Sequence, residues 1–337
     1  MGLGIGIAAE RSVVKRRRRN DPEAGEPFGS RRGERSRMIT TDDGAGLFVE
    51  ETGPPAVRRG VVFVHSSAMR SDIWHYQMAG LGEHRLVFYD LRGHGLSKPK
   101  GDDPFSIKRL AADLHLVVES SGLEEVVVVG HSIGGMIALE YCRDRRGAMG
   151  TSVKGLVLLN STYKPAAETA LGGAALARLD RLARRPLDVL GTQSHRLDRL
   201  RKVVRPSDAI FWAVAVAAFG PQPSAKQIDF TYDQLAETDT DVLFDLIRSY
   251  RDHDIRDIID EITVPVLVIG GTHDRLTIAD ASRYLADHLP AAELHLLDRC
   301  GHMSMLERHR EVNRLLERFL DDALRVGVPD GRKATYR

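Results

Sequence analysis

The 337-residue chain has only two cysteines, Cys142 and Cys300. That excludes a disulfide scaffold and a cysteine-only zinc site. Long hydrophobic runs are missing too. The longest, Ala209 to Phe219, has eleven residues, whereas a membrane-spanning helix needs about 20. Charge of one sign is scarce: the formal net charge is +1, so the whole molecule has no electrostatic case for nucleic acid. What remains is 42% hydrophobic and 28% charged residues, an ordinary composition for a soluble chain that buries a sizeable core. The length suits one large or two modest domains. We expect a soluble, cytoplasmic protein with no nucleic-acid partner and no integral membrane segment. Nothing in the sequence speaks to its oligomeric state.

The charge is uneven. Residues 1–37 hold ten Lys/Arg against five Asp/Glu, and the other 300 residues hold 38 against 42. The run Lys15-Arg16-Arg17-Arg18-Arg19 is not followed by an apolar stretch, so no secretory signal is indicated. Residues 1–37 read by composition as a disordered basic leader. Met38 opens directly into strand-like sequence and stands as an alternative first residue.

From Met38 onward, short β-rich runs alternate with helical patterns. Gly46–Glu50, Val61–Val64, Arg85–Tyr89, Glu125–Val129, Gly155–Leu159, Val264–Ile269 and Glu293–Leu297 read as strands. Between Ile107 and Ser121, apolar residues at 107, 110, 111, 114, 117 and 118 have helical spacing. A second helix is expected over Ile133–Arg143. Continuous apolar strands interleaved with helices predict an α/β fold, a mostly parallel, doubly wound sheet covered on both faces. The core is expected over 38–160 and 262–325. Residues 161–261 break the strand rhythm and read as a helical cap inserted between two strands. Its expected helices are Ala174–Arg185, Ser207–Phe219, Ala225–Glu237 and Thr240–Ser249. Such an insertion overhangs the carboxyl ends of the strands, where open α/β sheets bind ligands.

The strongest chemical signal is Gly130-His131-Ser132-Ile133-Gly134, a G-x-S-x-G pentapeptide with four valines before it and a helical pattern after. A serine between strand and helix sits on a strained turn, and the flanking glycines let the backbone close. The helix N-terminus then offers a backbone N–H to any oxyanion that forms. A serine hydroxyl needs a base, and the base needs an orienting acid. In this chain order the acid precedes the histidine. Asp274 follows the strand Val264–Ile269, and His302 follows Glu293–Leu297, so both stand at the same sheet edge as Ser132. Among the rivals, His273 adjoins Asp274 in sequence and would point elsewhere. His65, His94 and His131 fit structural roles better. Asp298 is the weaker acid candidate, and Asn160 stands where such sheets can carry an acid but cannot supply the charge.

These residues resemble the α/β-hydrolase superfamily from about Thr41 to Leu320, the cap excepted. Val62-Phe63-Val64-His65-Ser66-Ser67 is similar to the family's strand-ending His-Gly-X segment, with Ser66 where glycine is usual. The resemblance implies that Ser67 and Ile133 supply the two oxyanion-hole N–H groups. Tyr89-Asp90-Leu91-Arg92-Gly93-His94-Gly95-Leu96-Ser97 looks like the D-x-R-G-x-G-x-S turn and is read as structural. Trp74-His75-Tyr76-Gln77-Met78 is similar to a stretch found in cofactor-free haloperoxidase and esterase members. Dehalogenases and epoxide hydrolases of this fold carry aspartate at the nucleophile position, so Ser132 excludes their chemistry.

The expected function is therefore a serine hydrolase that cleaves a carboxylic ester through an acyl-enzyme on Ser132, with no metal or organic cofactor. Its partner is a small-molecule acyl substrate. The apolar run within the cap reads either as a buried helix or as the wall of a pocket for a hydrophobic acyl chain. Acyl transfer, thioester hydrolysis and cofactor-free perhydrolysis on the same triad stay open. So does a slow-turnover ligand receptor.

Overall fold

The computed structural model describes residues 12–100, 105–170, 208–251 and 253–324. Among them, eight strands form one sheet: β1 (Arg35–Thr40), β2 (Gly46–Thr52), β3 (Arg59–Val64), β4 (Leu86–Tyr89), β5 (Glu125–His131), β6 (Val153–Leu159), β7 (Val266–Gly271) and β8 (Ala292–Leu297). Their order is β1-β2-β4-β3-β5-β6-β7-β8. β2 runs antiparallel to both its neighbours, and every pairing from β4 onward is parallel. The helices used below are α1 (His75–Gly80), α2 (Ile107–Ser121), α3 (Ile133–Asp144), α4 (Asp208–Ala218), α5 (Ala225–Glu237), α6 (Thr240–Ser249), α7 (Ala279–His288) and α8 (His309–Leu324).

Side chains alternate across a strand with a period of two, and here both faces are buried. Val62, Val64, Val126, Val128, Leu156, Leu158, Val266 and Val268 join one core with α2, α3 and α7. Val61, Phe63, Val127, Val129, Val157, Leu159, Leu267 and Ile269 join a second with α4, α5 and α8, whereas Val242 and Leu246 of α6 belong to the first. Each such side chain withdrawn from water contributes about 1.5–3 kcal/mol, which is why these strands read as unbroken apolar runs. Local signals set the ends. Ser106 caps α2 by accepting the Arg109 N–H, and Gly122 ends it in the left-handed conformation at φ 68°. β7 starts at Val266 instead of Val264 because Pro265 has no N–H to give a ladder. α7 and α8 are additional to the helices expected from sequence.

The register aligns the carboxyl ends. Val64 pairs with Gly130, Gly130 with Leu158, Leu159 with Ile269, and Gly271 with Leu297. The loops after β3, β5, β6, β7 and β8 therefore emerge side by side. α4, α5 and α6 lie where the sequence placed three of the inserted helices. The fourth, Ala174–Arg185, lies outside the described residues. No helix among the described residues is long and apolar enough to cross a membrane.

The expectation of a disordered leader is corrected over residues 12–37. Residues 12–19 are helical, Val14 is buried, and β1 begins at Arg35, inside the segment assigned to the leader. Arg18 makes two hydrogen bonds of 2.8 Å to Asp229. The guanidinium groups of Arg17 and Arg18 lie 5.1 Å over the rings of Trp212 and Phe211. Asp21 accepts from the Ser224 hydroxyl and the Lys226 N–H at the start of α5. Glu26 bonds His75 at 2.7 Å, and Phe28 stacks on Phe230 at 4.8 Å. Composition misled here because the partners of the basic run lie about two hundred residues downstream.

Candidate active site

β5 leads straight into Ser132, whose φ of 55° and ψ of −119° leave the ordinary regions for a non-glycine residue. The two flanking glycines are required by close approach. A Cβ on Gly130 would stand 2.4 Å from the Gly134 carbonyl oxygen, and one on Gly134 would stand 2.2 Å from that of Val64. The helix can therefore fold back over its own strand and abut β3, which holds the serine side chain out at the sheet edge. The Ser132 carbonyl is fixed by the Ser161 hydroxyl at 2.8 Å.

His302 and Asp274, 28 residues apart, meet in the fold: His302 Nδ1 lies 2.9 Å from Asp274 Oδ2. Both are buried. Asp274 Oδ1 accepts the N–H groups of Leu276 and Thr277, and Oδ2 also accepts from Asn160 Nδ2 at 2.8 Å. The Thr277 hydroxyl lies 2.7 Å from Oδ2. Burial pushes the Asp274 carboxyl up, but His302, the Thr277 N–H and Asn160 outweigh it and hold it down at about 2. The carboxylate thus stays ionised and keeps a proton on Nδ1, which leaves Nε2 as the basic nitrogen.

Ser132 and His302 border one cavity of about 460 Å³, and Ser67 and Ile133 border it with them. Ile133 is the first residue of α3, so its N–H has no acceptor within the helix. The loop carrying Ser67 takes its left-handed turn at Ala68, φ 64°, and not at Ser66, the position where glycine is usual in the family. Two buried histidines hold that loop. His94 Nε2 accepts the Ala68 N–H, while His65 accepts from Leu91 N–H and donates through Nδ1 to the Ser66 carbonyl. Burial drives both below the usual histidine range, His94 to about 4, so both stay neutral acceptors. Asp90, in the turn read as structural, accepts the N–H groups of Ser71 and Leu96.

The rest of the wall is apolar. Val214, Ala217 and Ala218 of α4, Leu235 of α5, and Met69, Met136 and Leu276 line it, with Ser66, Thr162, Thr231, Tyr250 and Thr277 as the polar exceptions. Among the described residues that line it, none carries a carboxylate, an ammonium or a guanidinium. Nor do three His, Cys, Asp or Glu side chains gather as a metal-binding group among the described residues. His273 and Asp298 are exposed and stand apart from this pair.

Two site residues carry more than their sequence positions suggested. Asn160, at φ 46°, donates to Asp274 and to the Gly301 carbonyl, and its Oδ1 accepts from the Ser304 hydroxyl at 2.5 Å. His131 Nε2 donates to the His302 carbonyl at 2.9 Å, and burial lowers its pKa to about 3, so this neutral ring braces the backbone of the other. Thr277 had a readable signal, since Asp-x-x-Thr spacing suits an aspartate that caps its own turn. His131 had none, because its acceptor is 171 residues away.

Residues 60–309 match the family model described as "alpha/beta hydrolase fold". The chain is 29% identical over 290 residues to a non-heme chloroperoxidase of Streptomyces lividans, covering 81% of this chain and 95% of that one. It is 28% identical over 247 residues to a 2-hydroxymuconate semialdehyde hydrolase of Pseudomonas putida, covering 71% and 78%. Among solved structures, an esterase from Rhodococcus sp. ECU1013 superposes with a TM-score of 0.68 at 22% identity, covering 86% of this chain and 99% of that one. At that identity the likeness speaks for the fold.

Proposed function

The chain belongs to the alpha/beta hydrolase fold family, and on that premise we propose that it is a serine hydrolase cleaving carboxylic esters with an uncharged, hydrophobic acyl group. The observation that carries this reading is the buried His302–Asp274 pair opening, with Ser132, onto a cavity whose described lining is almost wholly apolar. Ser132 Oγ attacks the acyl carbonyl carbon while His302 Nε2 takes its proton. The oxyanion is held by the N–H groups of Ser67 and Ile133; losing one such donor slows turnover by about 10²–10³. His302 returns the proton to the leaving alkoxide, and the acyl group remains on Ser132. Water, deprotonated by the same nitrogen, attacks the acyl-enzyme and releases the acid. Asp274 stays ionised throughout and stabilises the imidazolium.

A cavity without charged lining favours acyl chains over diacids, because an unpaired carboxylate in such a place loses its hydration with nothing in return. Hydrogen peroxide in place of water would give a peracid from the same acyl-enzyme. The similarity to a non-heme chloroperoxidase makes that a side reaction worth assaying: peracid formed from a short carboxylic acid and peroxide would oxidise added halide to hypohalous acid, so halogenation should need all three together. The test is active-site titration with a fluorophosphonate, beside Ser132→Ala and His302→Ala, and hydrolysis of p-nitrophenyl esters of rising chain length. Labelling of the wild type alone, with turnover rising with acyl length, is expected. A folded wild type that neither labels nor turns over would move a slow-turnover ligand receptor to the front.

A further inference from the structure

The loop of His302 and the end of α4 are joined at one buried junction. The Ala218 carbonyl, last in α4, accepts the N–H groups of His302 at 2.9 Å and Met303 at 3.1 Å. The chain then crosses so closely that a Cβ on Gly301 would lie 2.3 Å from the Phe219 carbonyl carbon, and one on Gly220 2.4 Å from the Arg299 carbonyl oxygen. Glu307 closes the junction: Oε1 accepts the Gly301 N–H and Oε2 the Gly220 N–H, each at 2.8 Å. One carboxylate thus holds one strand of the junction with each oxygen.

We propose that Glu307 is a positioning residue that fastens the His302 loop to the end of α4, so that the base and the pocket wall formed by Val214, Ala217 and Ala218 move as one unit. The proposal rests on the serine-hydrolase reading for its consequence on rate, and on the junction alone for its structural content. Only the ionised carboxylate can accept both bonds, because protonation of one oxygen turns an acceptor toward a donor.

The surroundings set where that happens. Burial pushes the Glu307 carboxyl up to about 7, and the two N–H donors and Arg308 offset this only in part. Asp274 and the Cys300 thiol, 3.9 Å away, face it with no positive charge of their own. Arg308 turns its guanidinium to the Asp298 carbonyl. Arg299 and Glu23 border a crevice of about 260 Å³ that reaches Glu307, so the group can exchange protons with solvent. The junction is complete above about pH 7 and loosened below it.

The test pairs two measurements on the full chain from pH 5 to 9. In wild type labelled with 15N-glycine, the amide signals of Gly220 and Gly301 are expected to titrate together near pH 7. The fluorophosphonate labelling rate should show an acidic limb along the same curve as pH decreases. Glu307→Gln, which keeps the size but loses one acceptor, should abolish the shared titration and that limb. It should lower kcat about 10- to 100-fold with KM changed less than about threefold, the loss expected for a base misplaced by up to about 1 Å. Glycine signals that do not move in wild type, or that titrate unchanged in Glu307→Gln, overturn the proposal without any need for the variant to be active. Unchanged rate and pH profile in the variant overturn it as well. Coupled glycine titration in a wild type that never labels would uphold the junction and sink the hydrolase reading instead.

Discussion

Gly134→Ala tests the elbow most directly. Gly134 is the second residue of α3, and a Cβ there would stand 2.2 Å from the Val64 carbonyl oxygen, 2.8 Å from the Val64 carbonyl carbon and 2.9 Å from the His65 carbonyl oxygen. Carbon–oxygen contacts close at about 3.3–3.6 Å even when weakly attractive, so α3 and the end of β3 must part by roughly 1 Å. Two effects compete. Alanine favours helix over glycine by about 1 kcal/mol, and overpacking costs about 1–3 kcal/mol. All three contacts are backbone atoms, so no side chain can rotate away and the overpacking dominates. A net loss of up to about 2 kcal/mol lowers the melting temperature by up to roughly 8 °C in a domain of this size. The end of β3 also runs into Ser66–Ala68, and a 1 Å displacement of a positioned group costs about 100-fold in rate. The assay is the fluorophosphonate labelling rate together with scanning calorimetry, with Gly82→Ala as control because nothing lies within 4 Å of a Cβ there. We expect Gly134→Ala to label about 100-fold more slowly and Gly82→Ala to match wild type. A Gly134→Ala protein that labels within threefold of wild type at an unchanged melting temperature would refute the close approach of α3 to β3.

Asn160→Asp puts a second carboxylate 2.8 Å from Asp274 Oδ2 in place of a donor. Like charges that close cannot both ionise, so one carboxyl of the pair stays protonated and the variant should lose stability against wild type as pH rises above about 4; a gap that does not change with pH argues against contact between the two side chains. Asp274→Asn should cut kcat by about 10⁴ through loss of the correct imidazole tautomer. Its folded-state pKa is lowered from 3.8 to about 2, so the stability it contributes, about 2 kcal/mol, is present above about pH 4 and lost as pH falls toward 2. Urea unfolding of wild type and variant should therefore converge over that window, and a constant gap would contradict the assigned bonds. Ala217→Trp fills the α4 wall and should lower kcat/KM for long acyl esters at least about tenfold while sparing acetates; equal losses on both would place the acyl chain elsewhere.

Much of the fold was legible because its causes are local. The four valines Val126–Val129 are a run that only a strand covered on both faces tolerates, and Ser106 and Gly122 mark the ends of α2 by their own chemistry. Ser132 was legible for the same reason: glycines at 130 and 134 answer to contacts within a few residues and one neighbouring strand. Asp274 and His302 were singled out by their positions after strands, and the structure brings the two side chains into contact.

The bracing around them was not legible. Among the described residues four non-glycine residues have positive φ, namely Ala68, Ser132, Asn160 and Arg299, and each follows a strand at the carboxyl edge. Only the serine announced its conformation, since the others lack flanking glycine signatures and are held by distant groups. His131 supports the His302 carbonyl across 171 residues, and Glu307 joins Gly301 to Gly220.

The sequence by itself determined the parallel sheet, the strained turn at Ser132 and the loops that carry Asp274 and His302, because apolar periodicity and glycine spacing act over a few residues. Only the tertiary structure decided that residues 12–37 are packed in place, that Asn160 serves Asp274, and that the pocket wall is tied to the histidine loop. In each of those cases the deciding term is desolvation of a charged or polar group against a partner far along the chain. A composition or a period cannot register such a partner until the chain has folded.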